Sequence, residues 1–160
     1  MSNTIPSAEI EQLRASVTGT ILTSTDEGWD AARTPWNLAI ERAPALIAQP
    51  ADSTDVVAVV AFARRNRLRV APQSSGHNAG SLGPLDDAVL ISTGPLNDVS
   101  IDVDGRTARV GAGAVWGAVS AATDETGLFA LAGSAVDVGI TGYTLGGGLG
   151  WLSRKHGLAA

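Results

Sequence analysis

The sequence predicts an α+β fold that opens on a βαβ unit, and three features carry this expectation. Two short apolar runs bracket a segment of helical period. An Asp-Gly turn separates two strand-like segments. Glycines gather into loops from Gly76 onward. Taken in order, Ser7 to Val17 reads as a helix with Ile10, Leu13 and Val17 on one face. Thr25 to Trp36 is polar and irregular, with Trp29 and Trp36 expected to cover an edge of the core. Pro44 to Pro50 reads as a strand bounded by prolines. Asp52 or Ser53 can cap a helix over Thr54 to Asn66, and Leu68 to Ala71 is the second strand. Such a strand, crossover helix and strand run parallel with a right-handed connection. Ala88 to Ser92 reads as a buried strand. Asp98 to Asp102 and Thr107 to Gly111 pair across the Asp104-Gly105 turn. Trp116 to Glu125 is a helix that Gly127 can terminate, and Gly127 to Leu131 leads back toward the sheet.

Length and composition bound what the chain can do. At 160 residues, 44% hydrophobic and 17% charged, it can hold one domain with a substantial core or two small ones. Aromatics make up only 4%, so the core must come from Ala, Val, Leu and Ile. A net charge of −5 argues against a nucleic-acid surface. The one basic cluster, Arg64, Arg65, Arg67 and Arg69, sits where it complements a helix C-terminus. There is no cysteine, which excludes disulfides and thiolate metal sites, and two histidines make a zinc site improbable. No leader pattern is visible at the N-terminus and no run reaches membrane-spanning length. The expectation is a soluble, cytoplasmic protein with no nucleic-acid, membrane or metal partner.

Two loops carry the chemistry. Gln73-Ser74-Ser75-Gly76-His77-Asn78-Ala79-Gly80 follows the second strand and sets one histidine among small residues. Gly139-x-x-Gly142-x-x-x-Gly146-Gly147-Gly148-x-Gly150 lets backbone approach something large. Successive backbone N–H groups in such turns form anion-binding concavities, so the two loops are expected to meet one extended, phosphate-bearing ligand. Imidazole is a competent nucleophile, which makes His77 the foremost candidate; a loop histidine bonded to backbone is the plainer alternative. Gly111-Ala112-Gly113-Ala114-Val115-Trp116-Gly117 imitates a dinucleotide fingerprint, but its third glycine comes one residue late and no acidic residue follows at the required distance.

The ordered set Pro-x-x-Ile-x-x-Pro, Ser-Gly-His-Asn, Gly-Ala-Gly-Ala-x-Trp-Gly and the glycine loop resembles the FAD-binding (PCMH-type) domain of the vanillyl-alcohol oxidase superfamily. Within it, the sequence is most similar to the berberine-bridge-enzyme-like FAD-linked oxidases, from Trp36 to the last residue. The resemblance implies a lead-in over 1–35 and an FAD-binding domain of two small α/β subdomains over 36–160. It implies FAD, held covalently by His77 at the 8α-methyl carbon of the flavin. Gln73, Ser74, Ser75, Gly76 and Asn78 would line the pyrophosphate, with Ser81 and Leu82 continuing the loop. Many relatives carry Arg or Lys near position 73, so this loop is less cationic and leans on backbone donors. Gly113, Ala114, Gly133, Val138, Gly139, Gly142, Gly146, Gly147, Gly148 and Gly150 are the remaining cofactor-binding candidates. Ala135 stands where doubly attached members have cysteine, and Ile140 stands at a position tied to oxygen access. His156 is expected to serve packing.

The implied function is an oxidoreductase that takes hydride from a small alcohol, sugar or similar molecule and passes electrons to oxygen or another acceptor. The family's base lies in a substrate domain, so no catalytic residue is assigned. The chain is expected to be truncated at its C-terminus and inactive alone. The alternative is a non-catalytic nucleotide-binding module or one subunit of a split enzyme.

Overall fold

The structure, a computed structural model, describes residues 5–159. The chain divides into two compact units between Pro95 and Leu96.

In the first unit, α1 (Ser7–Ser16) buries Leu13, with Ile10 and Val17 packed beside it, the face its period predicted. β1 (Thr20–Leu22) and α2 (Trp29–Arg33) follow. A five-residue helix is too short for periodicity to reveal, so 25–36 is not wholly irregular as expected. β2 (Leu46–Gln49) leads into α3 (Ser53–Arg65). The Asp52 carboxylate caps α3 by accepting from Thr54 N at 2.7 Å and Asp55 N at 3.0 Å. β3 (Arg69–Gln73), a 3-10 turn over Ala79–Leu82, and β4 (Ala88–Ser92) complete the unit.

The sheet order is β1-β2-β4-β3; β1 is antiparallel to β2, while β2 and β3 both run parallel to β4. The expected βαβ unit is therefore present with β4 inserted between its strands. Side chains alternate across the sheet as strand geometry demands. Leu46, Ala48, Val89 and Ile91 face α1 and α3 through Leu13, Val59 and Phe62. Ile47, Ala71, Ala88 and Leu90 face the other way, onto Trp29 and Leu85. At the start of β3, beyond the end of α3, Arg69 pairs with Asp87 at 2.5 Å on the surface.

Asp55, in the first turn of α3, is only 3% exposed. Its carboxylate accepts from Thr18 N, Gly19 N and Ala51 N, each at 2.8 Å. One side chain thus ties the entry to β1, the exit from β2 and the start of α3.

In the second unit, β5 (Val99–Asp102) and β6 (Thr107–Val110) form an antiparallel hairpin, with Asp102 opposite Thr107. The Asp102 carboxylate closes the turn by accepting from Gly105 N at 2.9 Å. α4 (Trp116–Thr123) stops two residues short of the expected Glu125, which lies at φ 66°. Residues 127–131 do not return to a sheet; they run irregularly. α5 (Ile140–Leu145) and α6 (Ser153–His156) were not expected, because glycine-rich sequence conceals short helices. Ala114, Trp116, Val119, Ala132 and Ile140 form this unit's core. His156 is exposed, so the packing role expected of it does not hold. Among the described residues, no helix is long and apolar enough to cross a membrane.

Asp55 makes stability depend on acid. Burial raises its pKa, but the backbone donors of Ala51, Thr18 and Gly19 outweigh that and hold it below the usual carboxylate value. With the folded pKa depressed, the contribution is complete above the unfolded value of about 4 and is lost as pH falls through the folded pKa. Asp55→Ala leaves three buried donors unpaired and is expected to cost about 3 kcal/mol at neutral pH. Denaturant titrations at pH 7 and pH 3 check this: the gap between wild type and variant must narrow at the lower pH.

Candidate functional site

The histidine loop grows from the C-terminal end of β3, the edge of a parallel sheet where ligands bind in open α/β folds. Its first residue, Gln73, is buried, and Thr93 holds the Gln73 carbonyl through its backbone N at 2.7 Å and its hydroxyl at 3.1 Å. The Gln73 side chain accepts a hydrogen bond from Nη2 of Arg42. The Ser75 carbonyl accepts from Trp36 N at 3.1 Å.

Gly76 then takes φ +79°, where a side chain would be strained. A Cβ there would also stand 2.8 Å from Pro35 Cβ and 3.0 Å from Pro35 Cα. The Pro35-Trp36 segment therefore lies directly on the loop, and only glycine fits beneath it. Asn78 is exposed; its carbonyl accepts from the Ser81 hydroxyl at 2.9 Å. Leu82 packs against the core beside Trp29 and Leu85, and Ser74 is half-buried.

His77 is held from two sides. Ser75 Oγ lies 2.8 Å from its Nδ1. The Trp36 ring is stacked on it, with centroids 4.3 Å apart and planes at 17°. Trp36 is 60% exposed and so does not cover the core as expected. A sequence cannot announce that pairing, because 41 positions separate the two rings.

Arg42 was also not singled out from the sequence. It is 4% exposed, and its Nε and Nη1 have no hydrogen-bond partner among the described residues. Burial pulls its pKa below the ordinary arginine value, although a guanidinium stays charged.

The second unit holds the other candidates. Gly113 donates its N–H to the Leu96 carbonyl at 2.8 Å, and Ala114 is in the core. The bridge between Val115 and Gly139, with Trp116 N on the Val138 carbonyl at 3.1 Å, ties the start of α4 to the segment before α5. Ile140 is buried in the core, so its side chain serves packing. Tyr143 lies edge-on to Trp116, with centroids 5.4 Å apart and planes at 87°. Its hydroxyl and Trp116 Nε1 are buried without partners among the described residues.

Tyr143 explains several glycines. A Cβ on Gly133 would come within 2.9 Å of its ring, and one on Gly148 would run into the ring itself. A Cβ on Gly150 would strike the Ala132 carbonyl, and one on Gly146 would stand 2.9 Å from the Gly142 carbonyl. These four are glycine because their own unit is packed against them. Gly142 and Gly147 are different, because a Cβ on either would meet nothing within 4 Å. Gly147 has φ +73° and needs glycine for its conformation; Gly142 needs it for neither reason.

The residues fit a dinucleotide with a diphosphate. The donor set is backbone N–H and hydroxyl groups of small residues, with a buried guanidinium at the base of the loop. No group of His, Asp or Glu side chains among the described residues is gathered to hold a metal ion.

The profile of the FAD binding domain family matches residues 44–160. The chain belongs to this family. It is 32% identical over 145 residues to (R)-6-hydroxynicotine oxidase of Paenarthrobacter nicotinovorans, covering 91% of this chain and 32% of that protein. It is 33% identical over 135 residues to glucooligosaccharide oxidase of Sarocladium strictum, covering 82% of this chain and 27% of the relative. The solved structure of Physcomitrella patens BBE-like 1 superimposes with a TM-score of 0.83 at 30% identity, covering 94% of this chain and 33% of that one. The chain spans about a third of the length of the curated relatives it matches. The family is that of PCMH-type FAD oxidases, BBE-like proteins included, as the ordered motifs implied.

The two kinds of glycine predict opposite responses. Gly148→Ala drives a methyl into the Tyr143 ring and is expected to cost about 1–3 kcal/mol. Gly142→Ala adds a methyl to open space within α5 and is expected to gain up to about 1 kcal/mol. Thermal unfolding of both variants checks the assignment; equal losses would mean that Gly142 is also packed.

Proposed function

We propose that the protein is the flavin-holding part of an oxidoreductase whose FAD is tethered through His77. Its substrate is a small alcohol, sugar or similar oxidisable molecule, and oxygen or another acceptor takes the electrons. The observation that carries this reading is the double restraint on His77 by Ser75 and Trp36.

The tautomer in which Ser75 Oγ accepts from Nδ1 would place on Nε2 the lone pair that a bond to carbon requires. The Trp36 ring fixes the plane in which that lone pair points. Asn78, Ser74 and the loop backbone supply neutral donors for the phosphates. FAD, when bound, supplies the two-electron redox chemistry, and the chain supplies binding and orientation. The relatives' names span an oxidase of a hydroxynicotine and one of a glucooligosaccharide, which supports the reaction class more than any one substrate.

Protein precipitated in acid and washed is expected to retain flavin fluorescence, and His77→Ala is expected to release it. Fluorescence kept by the washed variant would remove the tether from His77. Flavin that is bound but never reduced by any alcohol, amine or sugar tried would favour a non-catalytic nucleotide-binding module.

The 160 residues by themselves are expected to turn over no substrate. They span about a third of the matched relatives, and Leu145, Leu149 and Trp151 of the second unit are exposed apolar side chains of the kind that bind other protein surface. A substrate-dependent bleaching of flavin absorbance by this chain alone would disprove that.

A further inference from the structure

The histidine loop carries no lysine or arginine from Gln73 to Leu82, yet the reading above asks it to hold two phosphates. The structure brings a cation to it from 31 positions upstream. Arg42 lies between α2 and β2 and is 4% exposed, with Nη2 on the Gln73 side chain. Its Nε and Nη1 are buried and unpartnered among the described residues. Among the described residues no carboxylate pairs with it: neighbouring Glu41 reaches Arg33, at 3.7 Å, and Asp30 pairs with Arg33 as well, at 2.7 Å. Arg33 also donates from Nη1 to the Arg42 carbonyl at 2.8 Å, fixing the backbone from which the buried side chain starts.

Burying an unpaired guanidinium is costly, and replacing it by an apolar side chain often stabilises a fold. Packing alone therefore gives a poor reason for arginine here. A charge in a low-dielectric setting acts over several ångströms with little screening, so it favours an anion at the loop without touching it. Gln73 is the link: its carbonyl is held by Thr93 at the end of the sheet, and its side chain is held by the guanidinium.

We propose that Arg42 is the positioning residue and electrostatic partner of the cofactor diphosphate, and that it makes this loop select a flavin dinucleotide over the uncharged flavin. This rests on the FAD reading of the loop. The selectivity is a difference between two ligands sharing one ring system, so general damage to the fold does not mimic it.

The test uses apoprotein made in a riboflavin-starved host, in a His77→Ala background so that binding is reversible. FAD and riboflavin are titrated separately by fluorescence. Arg42→Gln, which keeps length and a donor but removes charge, is expected to weaken FAD about tenfold, or about 1.4 kcal/mol. Riboflavin affinity should stay within about twofold, by the same conversion. Arg42→Lys should retain most of the preference for FAD. Equal losses for the two ligands, or no loss for either, would overturn the proposal. If Arg42→Gln does not fold, wild-type apoprotein decides: inorganic pyrophosphate must raise its melting temperature more than sodium chloride of equal ionic strength. No such difference overturns the role of Arg42. Background protein that binds neither flavin overturns the FAD reading itself, and this inference with it.

Discussion

The first unit depends on burying β4 on both faces. Ala88 and Leu90 enter one apolar cluster, Val89 and Ile91 the other, and the strand pairs with β2 on one side and β3 on the other. Val89, Leu90 and Ile91 each contribute about 1.5–3 kcal/mol on burial. Register follows, because slipping by one residue would exchange the two faces. That register sets Gln73 opposite Ser92 and lets Thr93 grip the Gln73 carbonyl. The histidine loop begins where the ladder ends, so the packing of the sheet fixes its base.

Beyond that base, the loop is shaped by segments distant in sequence. Pro35 and Trp36 lie on Gly76, Trp36 stacks on His77, and Arg42 reaches Gln73. All three come from the stretch between α2 and β2, which has no regular structure of its own beyond turns. The short helix α2 and buried Trp29 anchor one end of that stretch and β2 anchors the other. An irregular connection thus supplies a ring, a charge and a steric lid to a second irregular connection, with the sheet as common support. Function placed on loops over a rigid scaffold is the usual arrangement.

In the second unit, glycine-rich sequence serves two ends that composition alone merges. Gly133 and Gly148 make room for Tyr143, which closes the core against Trp116. Gly142 and Gly147 have open space where a side chain would be. Only the second pair has the geometry of a surface shaped for close approach, so a glycine motif is in large part a packing motif. The relatives act on chemically different molecules while sharing this domain, as expected when the fold holds the cofactor and other parts of the protein choose the substrate.

Much of the fold was legible in the sequence because its signals are local. Prolines bounded β2, Asp52 capped α3, an unbroken apolar run marked β4, and Asp104-Gly105 marked the hairpin. The ordered motifs led to the family and to His77 as the residue to watch. What stayed hidden was non-local or short. α2, α5 and α6 span two turns or fewer, below the length at which period is readable. The insertion of β4 between β2 and β3 is a choice of neighbours, which strand propensity does not encode. Arg42 and Trp36 look in sequence like any surface arginine and any core tryptophan. Tertiary structure reversed both, burying the charge and exposing the ring, because only the folded sheet brings Gln73 and His77 within reach of them.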